Sequence, residues 1–148
     1  MAAQKDYEEL LELFNKNKVK YLIVGGFALA FHGAPRYTGD IDIFIKPDKR
    51  NAALIIKAIK KFGFGNLDLK KSDFEKKGMV IQLGVSPVRI DIITSLSGVS
   101  WNESFSKKAK GKFGEVPVNY IGRKQFIKNK RATARKKDLA DIDALGEK

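Results

Sequence analysis

Cysteine is absent from this 148-residue chain, and histidine occurs once, at His32. The lack of cysteine excludes disulfide bonds, thiolate metal sites and cysteine nucleophiles. A single histidine leaves little room for a histidine-rich zinc site. No run of eighteen apolar residues occurs, so we expect no membrane-spanning helix. The acidic, amphipathic stretch 1–10 is unlike a secretory signal, and these features together favour a cytoplasmic protein.

Acidic residues are fewer than basic ones: the chain has 17 aspartates and glutamates and 29 lysines and arginines, which gives a formal net charge of +12. A strongly basic domain attracts polyanions through its summed field. Nucleic acid, nucleotides and an acidic partner protein all fit this charge, and high solubility is the plainer explanation. The length and the 43% hydrophobic content fit one domain over residues 1–148. We divide it into an N-terminal helix (1–18), a sheet core (19–121) and basic C-terminal helices (122–148).

The hydrophobic pattern alternates between helical and strand periods along the chain. Tyr7, Leu10, Leu11 and Phe14 recur at helical spacing, which predicts a helix over 3–16. Short β-branched runs bounded by glycine or proline predict strands. We expect strands at 21–24, 41–45, 64–69, 79–85, 88–94 and 116–121, and helices at 27–32, 48–61, 101–108, 123–131 and 136–145. The segment 72–77 is expected to be a turn or a short helix. This order predicts an α/β (α+β) fold, with a mixed β-sheet flanked by helices.

Two aspartates stand at the start of the expected strand 41–45. Side chains alternate across a strand, so Asp40 and Asp42 project to one face. Two adjacent carboxylates repel each other unless cations neutralise them. Mg²⁺ prefers a few carboxylates together with waters and substrate phosphates. The pair therefore indicates a magnesium site, and a solvent-exposed Asp-x-Asp is the alternative.

A third carboxylate, Asp91, lies in an otherwise apolar strand. An uncompensated charge in such a setting is costly, so Asp91 needs a partner. Arg89, two residues earlier on the same face, would be a structural partner. The functional alternative is a metal shared with Asp40 and Asp42, as in two-metal sites that clamp the attacking and leaving oxygens of an in-line displacement.

Gly25 and Gly26 lie between an expected strand and an expected helix. Glycines there let the backbone approach a phosphate, and the following helix presents N–H groups to the anion. The pair is neither a Walker A loop nor a dinucleotide fingerprint. Taken alone, it would be an ordinary tight turn.

The order of these features resembles a known superfamily. The segments Val24-Gly25-Gly26-Phe27-Ala28 and Arg36-Tyr37-Thr38-Gly39-Asp40-Ile41-Asp42, followed by the lone Asp91, look like the core of the DNA polymerase β nucleotidyltransferase superfamily. They resemble in particular the small prokaryotic branch related to the nucleotidyltransferase toxins of abortive-infection toxin–antitoxin systems. The tail 130–142 is similar to that branch's Lys-x-Ala-x-x-Arg-x-Lys-Asp-Leu-x-Asp segment.

The resemblance implies a nucleotidyltransferase that moves NMP from an NTP to a hydroxyl acceptor and releases pyrophosphate. It implies two Mg²⁺ or Mn²⁺ ions, both bound by Asp40 and Asp42, with Asp91 binding one of them and helping to activate the hydroxyl. The nucleotide would be held by six residues: Gly25, Gly26, Arg36, Thr38, Lys130 and Arg135. Gly26 stands where many catalytic members have a serine that contacts a phosphate.

The segment 116–137 contains no acidic residue. Its outer cations are either a solvated helix face or a contact for an acceptor nucleic acid. Asp138 and Asp141 are expected to be first-turn helix charges or partners for Arg135. The cations of the segment are Arg123, Lys124, Lys128, Lys130, Arg131, Arg135, Lys136 and Lys137.

The acceptor stays open at this point: an RNA end, a protein hydroxyl and a small antibiotic-like alcohol all fit. A homodimer, an antitoxin or another second subunit would complete the cleft of so short a chain. A different class of function is a weakly active or inactive protein of the same fold that binds nucleotide or nucleic acid. We interpret His32 as structural, and Trp101 and Phe105 as packing residues rather than base-stacking ones.

Overall fold

The computed structural model describes residues 2–35, 38–64 and 68–147. One sheet runs through these ranges, and helices pack against it. The strands are β1 (Tyr21–Val24), β2 (Ile41–Ile45), β3 (Val80–Leu83), β4 (Ile90–Ile93), β5 (Ala109–Phe113) and β6 (Val116–Tyr120). The helices are α1 (Ala2–Lys16), α2 (Gly25–Phe31), α3 (Lys49–Ile59), α4 (Lys71–Glu75), α5 (Trp101–Ser106), α6 (Arg123–Thr133) and α7 (Lys136–Ala144).

The strand order in the sheet is β3-β4-β2-β1-β6-β5. β2 pairs antiparallel with β1 and parallel with β4. In this register Asp42 lies opposite Val24 on one side and opposite Asp91 on the other. The end of β1, the start of β2 and the start of β4 therefore meet at one end of the sheet.

Burial follows strand position in the sheet. Central strands are covered on both faces and form continuous apolar runs, and all four residues of β1 are buried. The edge strands are more polar: Lys110 and Lys112 of β5 are exposed, as are Val80 and Gln82 of β3. Lysine on an edge strand discourages pairing with another chain, so the two edges of this sheet differ in character.

The apolar stripe of α1 packs on α3 and β6. Tyr7, Leu10, Leu11 and Phe14 are each at most 1% exposed. Burying one such side chain contributes about 1.5–3 kcal/mol relative to leaving it in water. The N-terminal helix is thus part of the core, as its sequence period predicts.

The expected mixed sheet flanked by helices is confirmed, and three local expectations are corrected. The strand expected at 64–69 is wrong, because the chain continues from α3 into a π-helical turn (Lys60–Phe64) that ends through Gly63 at a φ of 113°; residues 65–67 lie outside the described ranges. The strand β5 was not expected. Helix α2 begins at Gly25 rather than Phe27, so both glycines belong to its first turn.

Helices over the described ranges are all too short or too polar to cross a membrane.

Candidate active site

Two of the expected carboxylates face each other across neighbouring strands. Asp42 and Asp91 are register partners on the parallel strands β2 and β4, which lie roughly 4.8 Å apart in a sheet. Asp40 immediately precedes β2. The side chain of Asp91 is 12% exposed and that of Asp40 is 40% exposed. The fold therefore brings together the three aspartates that the sequence singled out.

Arg89 is the immediate partner of two of these carboxylates. Its Nε lies 3.1 Å from Oδ1 of Asp91, and its Nη2 lies 3.2 Å from Oδ2 of the same residue. The same Nε is 3.7 Å from Oδ2 of Asp40. Bidentate guanidinium–carboxylate pairs are among the stronger charge-assisted hydrogen bonds. The structural partner considered for Asp91 is thus present, and its contact with Asp40 is a further finding.

Asp42 differs from its two neighbours in its electrostatic setting. Burial raises its pKa to about 6, and the neighbouring carboxylates of Asp91 and Asp40 act in the same direction. The charges of Lys130 and Lys137 act in the opposite direction. A raised pKa means that the surroundings do not fully stabilise the ionised form of the acid. This end of the sheet therefore holds negative charge that a bound cation would stabilise.

The donor set fits a hard divalent cation, because it consists of carboxylate oxygens alone. Among the residues that the structure describes, no group of three or more Asp, Glu or His side chains is arranged around a common point as a metal site. Arg89 is instead the partner of two of these carboxylates, since it pairs with both Asp40 and Asp91. A metal held here would be bound by Asp42 together with Asp40 and Asp91 in place of that arginine.

Gly25 supports Asp42 directly. It has a φ of +68°, a region that side chains other than glycine rarely adopt. A Cβ on Gly25 would lie 2.2 Å from Oδ2 of Asp42. The carboxylate therefore lies directly against the backbone where α2 begins.

The contact between Gly26 and Thr38 leaves little room for a side chain at position 26, where the resemblance leads one to expect a serine. A Cβ on Gly26 would lie 2.8 Å from Cβ of Thr38 and 2.9 Å from its Oγ1. The Thr38 hydroxyl donates to the carbonyl oxygen of Asp40 at 3.2 Å. The threonine side chain thus fills the volume that a side chain at position 26 would need. Arg36, the other residue expected in this segment, lies outside the described residues.

We expect Gly26→Ala to destabilise the protein by about 1–3 kcal/mol, because it over-packs the contact with Thr38. In a Thr38→Gly background the same substitution should cost much less. Urea denaturation of the four proteins in this double-mutant cycle measures the coupling. An equal cost of Gly26→Ala in both backgrounds would show that Thr38 is not the obstacle.

Tyr7 is a site residue that the sequence did not identify. Its hydroxyl accepts a hydrogen bond from the backbone N–H of Arg89 at 3.2 Å and lies within donating distance of the carbonyl oxygens of Gly39 and Arg89. These are the residues around Asp40 and Asp91. The N-terminal helix thereby fixes the two backbone segments that carry those carboxylates. In the sequence Tyr7 is one member of an apolar stripe, and nothing separates it from its neighbours.

Lys130 lies among acids at the start of α7. Its side chain is 12% exposed, and its Nζ is 3.5 Å from Asp138 and 3.6 Å from Asp141. Arg135 Nε donates to Asp138 at 2.8 Å. Burial would raise the pKa of Asp138, but hydrogen bonds from Arg135 and Thr133 outweigh it and hold that pKa well below its usual range. The expected pairing of Asp138 with Arg135 is confirmed.

The charges of Lys130 and Lys137 both act on Asp42, which places these lysines near the carboxylates. Lys137 was not singled out from its basic neighbours in the sequence. Arg135 is committed to Asp138 while its side chain remains 60% exposed. Binding of nucleotide by Lys130 and Arg135 stays a prediction.

Several cations of the basic segment are internally paired. Arg123 binds Glu147 at 2.9 Å, and Lys128 binds Glu103 at 3.1 Å. Basic charge in this segment is thus partly used to fasten the C-terminal helices.

His32 Nε2 lies 2.7 Å from the carbonyl oxygen of Ile121, which ties the end of α2 to the end of β6, as expected of a structural histidine.

Comparisons with known proteins agree with this fold. The family model described as aminoglycoside-2''-adenylyltransferase matches residues 7–143. No curated protein sequence matches the chain. The resemblance to the nucleotidyltransferase superfamily is confirmed, whereas the abortive-infection branch stays a prediction.

Three solved structures share the fold. A protein of Thermotoga maritima (TM1012) assigned as a nucleotidyltransferase has 13% identity and a TM-score of 0.60, covering 95% of this chain and 88% of its own. The lincosamide antibiotic adenylyltransferase LnuA, with lincomycin bound, has 15% identity and a TM-score of 0.60, covering 96% and 95%. An antigenic nucleotidyltransferase-like protein of Paracoccidioides brasiliensis has 16% identity and a TM-score of 0.58, covering 97% and 73%.

Proposed function

Because the chain belongs to the aminoglycoside-2''-adenylyltransferase family, we propose that it is a metal-dependent nucleotidyltransferase that moves NMP from an NTP to a hydroxyl acceptor. The observation that carries the proposal is Asp42. It lies in register with Asp91, directly against Gly25, and its pKa is raised to about 6. A carboxylate so poorly compensated supports a site made for cations.

In the proposed reaction the acceptor oxygen attacks the α-phosphorus of the NTP. The bond from that phosphorus to the bridging oxygen of the pyrophosphate breaks, and pyrophosphate leaves. Two Mg²⁺ or Mn²⁺ ions would supply charge stabilisation for the attacking and leaving oxygens. Asp40, Asp42 and Asp91 would hold the cations, and Asp91 would receive the proton of the acceptor hydroxyl.

The phosphates lie, in this proposal, against the first turn of α2. The backbone N–H groups of Gly25 and Gly26 bind them, and the Thr38 hydroxyl, which lies beside Gly26, is available as a further donor. Cationic side chains offset the charge that develops on the transferred group. These are Arg36, Lys130 and Arg135, joined by Lys137, whose charge acts on Asp42.

The charge of the protein bears on the acceptor. A formal net charge of +12 repels a polycation such as an aminoglycoside, whereas it does not oppose a neutral compound and attracts an anionic one. We therefore propose a hydroxyl acceptor that carries no multiple positive charge. A small neutral alcohol, an RNA end and a protein hydroxyl all satisfy this condition.

A second candidate function is a nucleotide- or nucleic-acid-binding protein with little or no turnover, acting alone or in a toxin–antitoxin pair. Arg89 favours it, because this guanidinium already pairs with Asp40 and Asp91 without any metal. The two candidates differ in whether divalent ions and NTP stabilise the protein together.

The test is the melting temperature with each of the four NTPs, in the presence of Mg²⁺, Mn²⁺ or EDTA. Ligand at about 100 times its Kd should stabilise the native state by about 2.7 kcal/mol, which corresponds to roughly 5–10 °C for a chain of this size. Asp42→Asn should abolish the metal-dependent shift. Asp143→Asn, a matched change at an exposed position of α7, should leave it intact.

The proposal would be contradicted if no NTP raised the melting temperature in the presence of either Mg²⁺ or Mn²⁺. A shift that Asp42→Asn retains would place the nucleotide elsewhere. Transfer itself is measured with NTP labelled at the α-phosphate and separate pools of RNA, protein and small alcohols. Label should pass to one pool and depend on Asp91.

A further inference from the structure

The end of the sheet opposite the three aspartates is basic. Lys20 immediately precedes β1 and Lys46 immediately follows β2. Since these strands run antiparallel, the two lysines lie at the same end. Lys46 is four residues beyond Asp42, or roughly 13 Å along the strand. This surface is therefore separate from the candidate active site.

Two open depressions adjoin each other there, with volumes of about 320 Å³ and 260 Å³. Lys46 lines both of them. The first is lined also by Lys18, Lys20 and Arg50, and the second by Lys77 and Trp101. We call these six residues and the surface they line the basic groove.

The groove has a fixed floor. The buried side chain of Asn51 accepts from the backbone N–H of Lys20 at 2.8 Å and donates to the carbonyl oxygens of Lys20 and Lys46, each at 3.0 Å. Its own N–H donates to Asp48, which caps α3. One buried amide thus holds the backbone beneath Lys20 and Lys46 in place.

Among the described residues that line it, the groove carries five cations and a single carboxylate, Asp48. That carboxylate caps α3 and lies 3.4 Å from Lys46. Within the described ranges no ion pair joins Lys18, Lys20, Arg50 or Lys77 to an acid. In the basic C-terminal segment, by contrast, four cations are held in internal pairs. The groove therefore gathers cations whose charge is available to a ligand.

Trp101 adds an aromatic surface at one end of the groove. Its ring is stacked on Phe105, with centroids 5.0 Å apart, and meets Phe44 edge-on at 5.0 Å. Packing on two sides fixes the indole, while its remaining surface lines the depression. The expected packing role is therefore present, and the residue, which is half-buried, also lines the depression.

We propose that the basic groove binds single-stranded nucleic acid, with the lysines and Arg50 on its phosphates and Trp101 against a base. Phosphates recognise a track of cations, and a base stacks on an aromatic ring whatever its sequence. Duplex nucleic acid lacks an unstacked base for Trp101, and an acidic peptide lacks any base. The proposal is independent of nucleotidyl transfer.

The test uses a fluorescein-labelled 12-nucleotide oligouridylate and the full chain. Anisotropy gives the affinity at several salt concentrations. Trp101 is the single tryptophan, so intrinsic fluorescence reports directly on the groove and should be quenched at saturation. The triple variant Lys18→Gln/Lys20→Gln/Arg50→Gln should bind at least tenfold more weakly. Its salt slope should fall by roughly 2, because each phosphate that is no longer neutralised reduces the slope by about 0.7.

The control variant Lys57→Gln/Lys60→Gln/Lys61→Gln removes the same charge from exposed positions in the last turn of α3 and in the π-helical turn that follows it. It should keep at least half of the affinity. Equal weakening in both triple variants, unchanged Trp101 fluorescence at saturation, or equally tight binding of duplex or polyglutamate would each overturn the proposal. The NTP-induced rise in melting temperature should be the same in the groove variant as in the wild type, so the two proposals fail separately.

Discussion

Gly25→Ala should destabilise the protein by about 2–5 kcal/mol and abolish stabilisation by NTP and metal. Two costs add at this position. A left-handed conformation costs an alanine roughly 1–2 kcal/mol, and Gly25 has a φ of +68°. The new Cβ would also stand 2.2 Å from Oδ2 of Asp42, and such over-packing costs about 1–3 kcal/mol. Urea denaturation in EDTA measures the sum.

Gly78→Ala separates these two costs. Gly78 has a similar φ of +81°, but a Cβ there would meet nothing within 4 Å. Its replacement should therefore cost only the conformational part. If the two alanine variants are destabilised equally, the contact with Asp42 is not what requires glycine at position 25. If Gly25→Ala folds and still gains stability from NTP and metal, the carboxylate does not need its present place.

Asp42→Asn should stabilise the metal-free protein at pH 7 by up to about 3 kcal/mol. The pKa of Asp42 rises from an ordinary 3.8 to about 6 on folding, chiefly through burial, and then through Asp91 and Asp40. The folded state therefore binds a proton more tightly than the unfolded state. The ionised carboxylate destabilises the fold progressively between about pH 4 and pH 6, and the penalty is complete above that range.

The variant and the wild type should consequently have nearly equal stability at pH 4 and diverge as the pH rises. Guanidinium denaturation in EDTA at pH 4, 5.5 and 7.5 tests this, because the other titrating groups are common to both proteins. Mn²⁺ should reverse the order at pH 7.5, since it binds the ionised carboxylate of the wild type. A stability difference that stays constant with pH would mean that Asp42 titrates normally.

Much of the fold follows from local sequence. The runs 21–24 and 41–45 are apolar except for Asp42, and glycine or proline follows each within two residues, so their strand bounds could be predicted to the residue. β5 could not, because Lys110, Gly111 and Lys112 have no strand character by themselves. They form a strand only by pairing with β6 across the turn at Gly114, whose φ is +59°. The misassigned strand at 64–69 has a related cause. Phe62 and Phe64 pack against the core from a π-helical turn, and their spacing in the sequence is the alternating apolar pattern that a strand would also show.

The three carboxylates of the candidate site could be predicted from the sequence, whereas the contacts of the residues around them could be predicted only in part. Strand alternation and the cost of a charge in an apolar strand suffice to single out Asp40, Asp42 and Asp91. Arg89 was a foreseeable partner for Asp91, since the two lie on one face of β4. Its reach to Asp40 depends on the pairing of β2 with β4, which is a tertiary fact. The same holds for Tyr7, whose partners are 32 and 82 residues away in the chain.

The unlike edges of the sheet limit how copies of this chain could associate through their strands. β5 presents Lys110 and Lys112, whereas β3 presents Val80 and Gln82 without a charge. Lysines therefore discourage strand addition at the β5 edge, and the exposed residues of β3 carry no charge that would do the same. Two copies that pair through their β3 strands would both use the edge without lysines, and they would be related by a two-fold axis. Such an interface is self-complementary and closes at two subunits, so the asymmetry of one sheet would exclude an open fibre while leaving a dimer accessible.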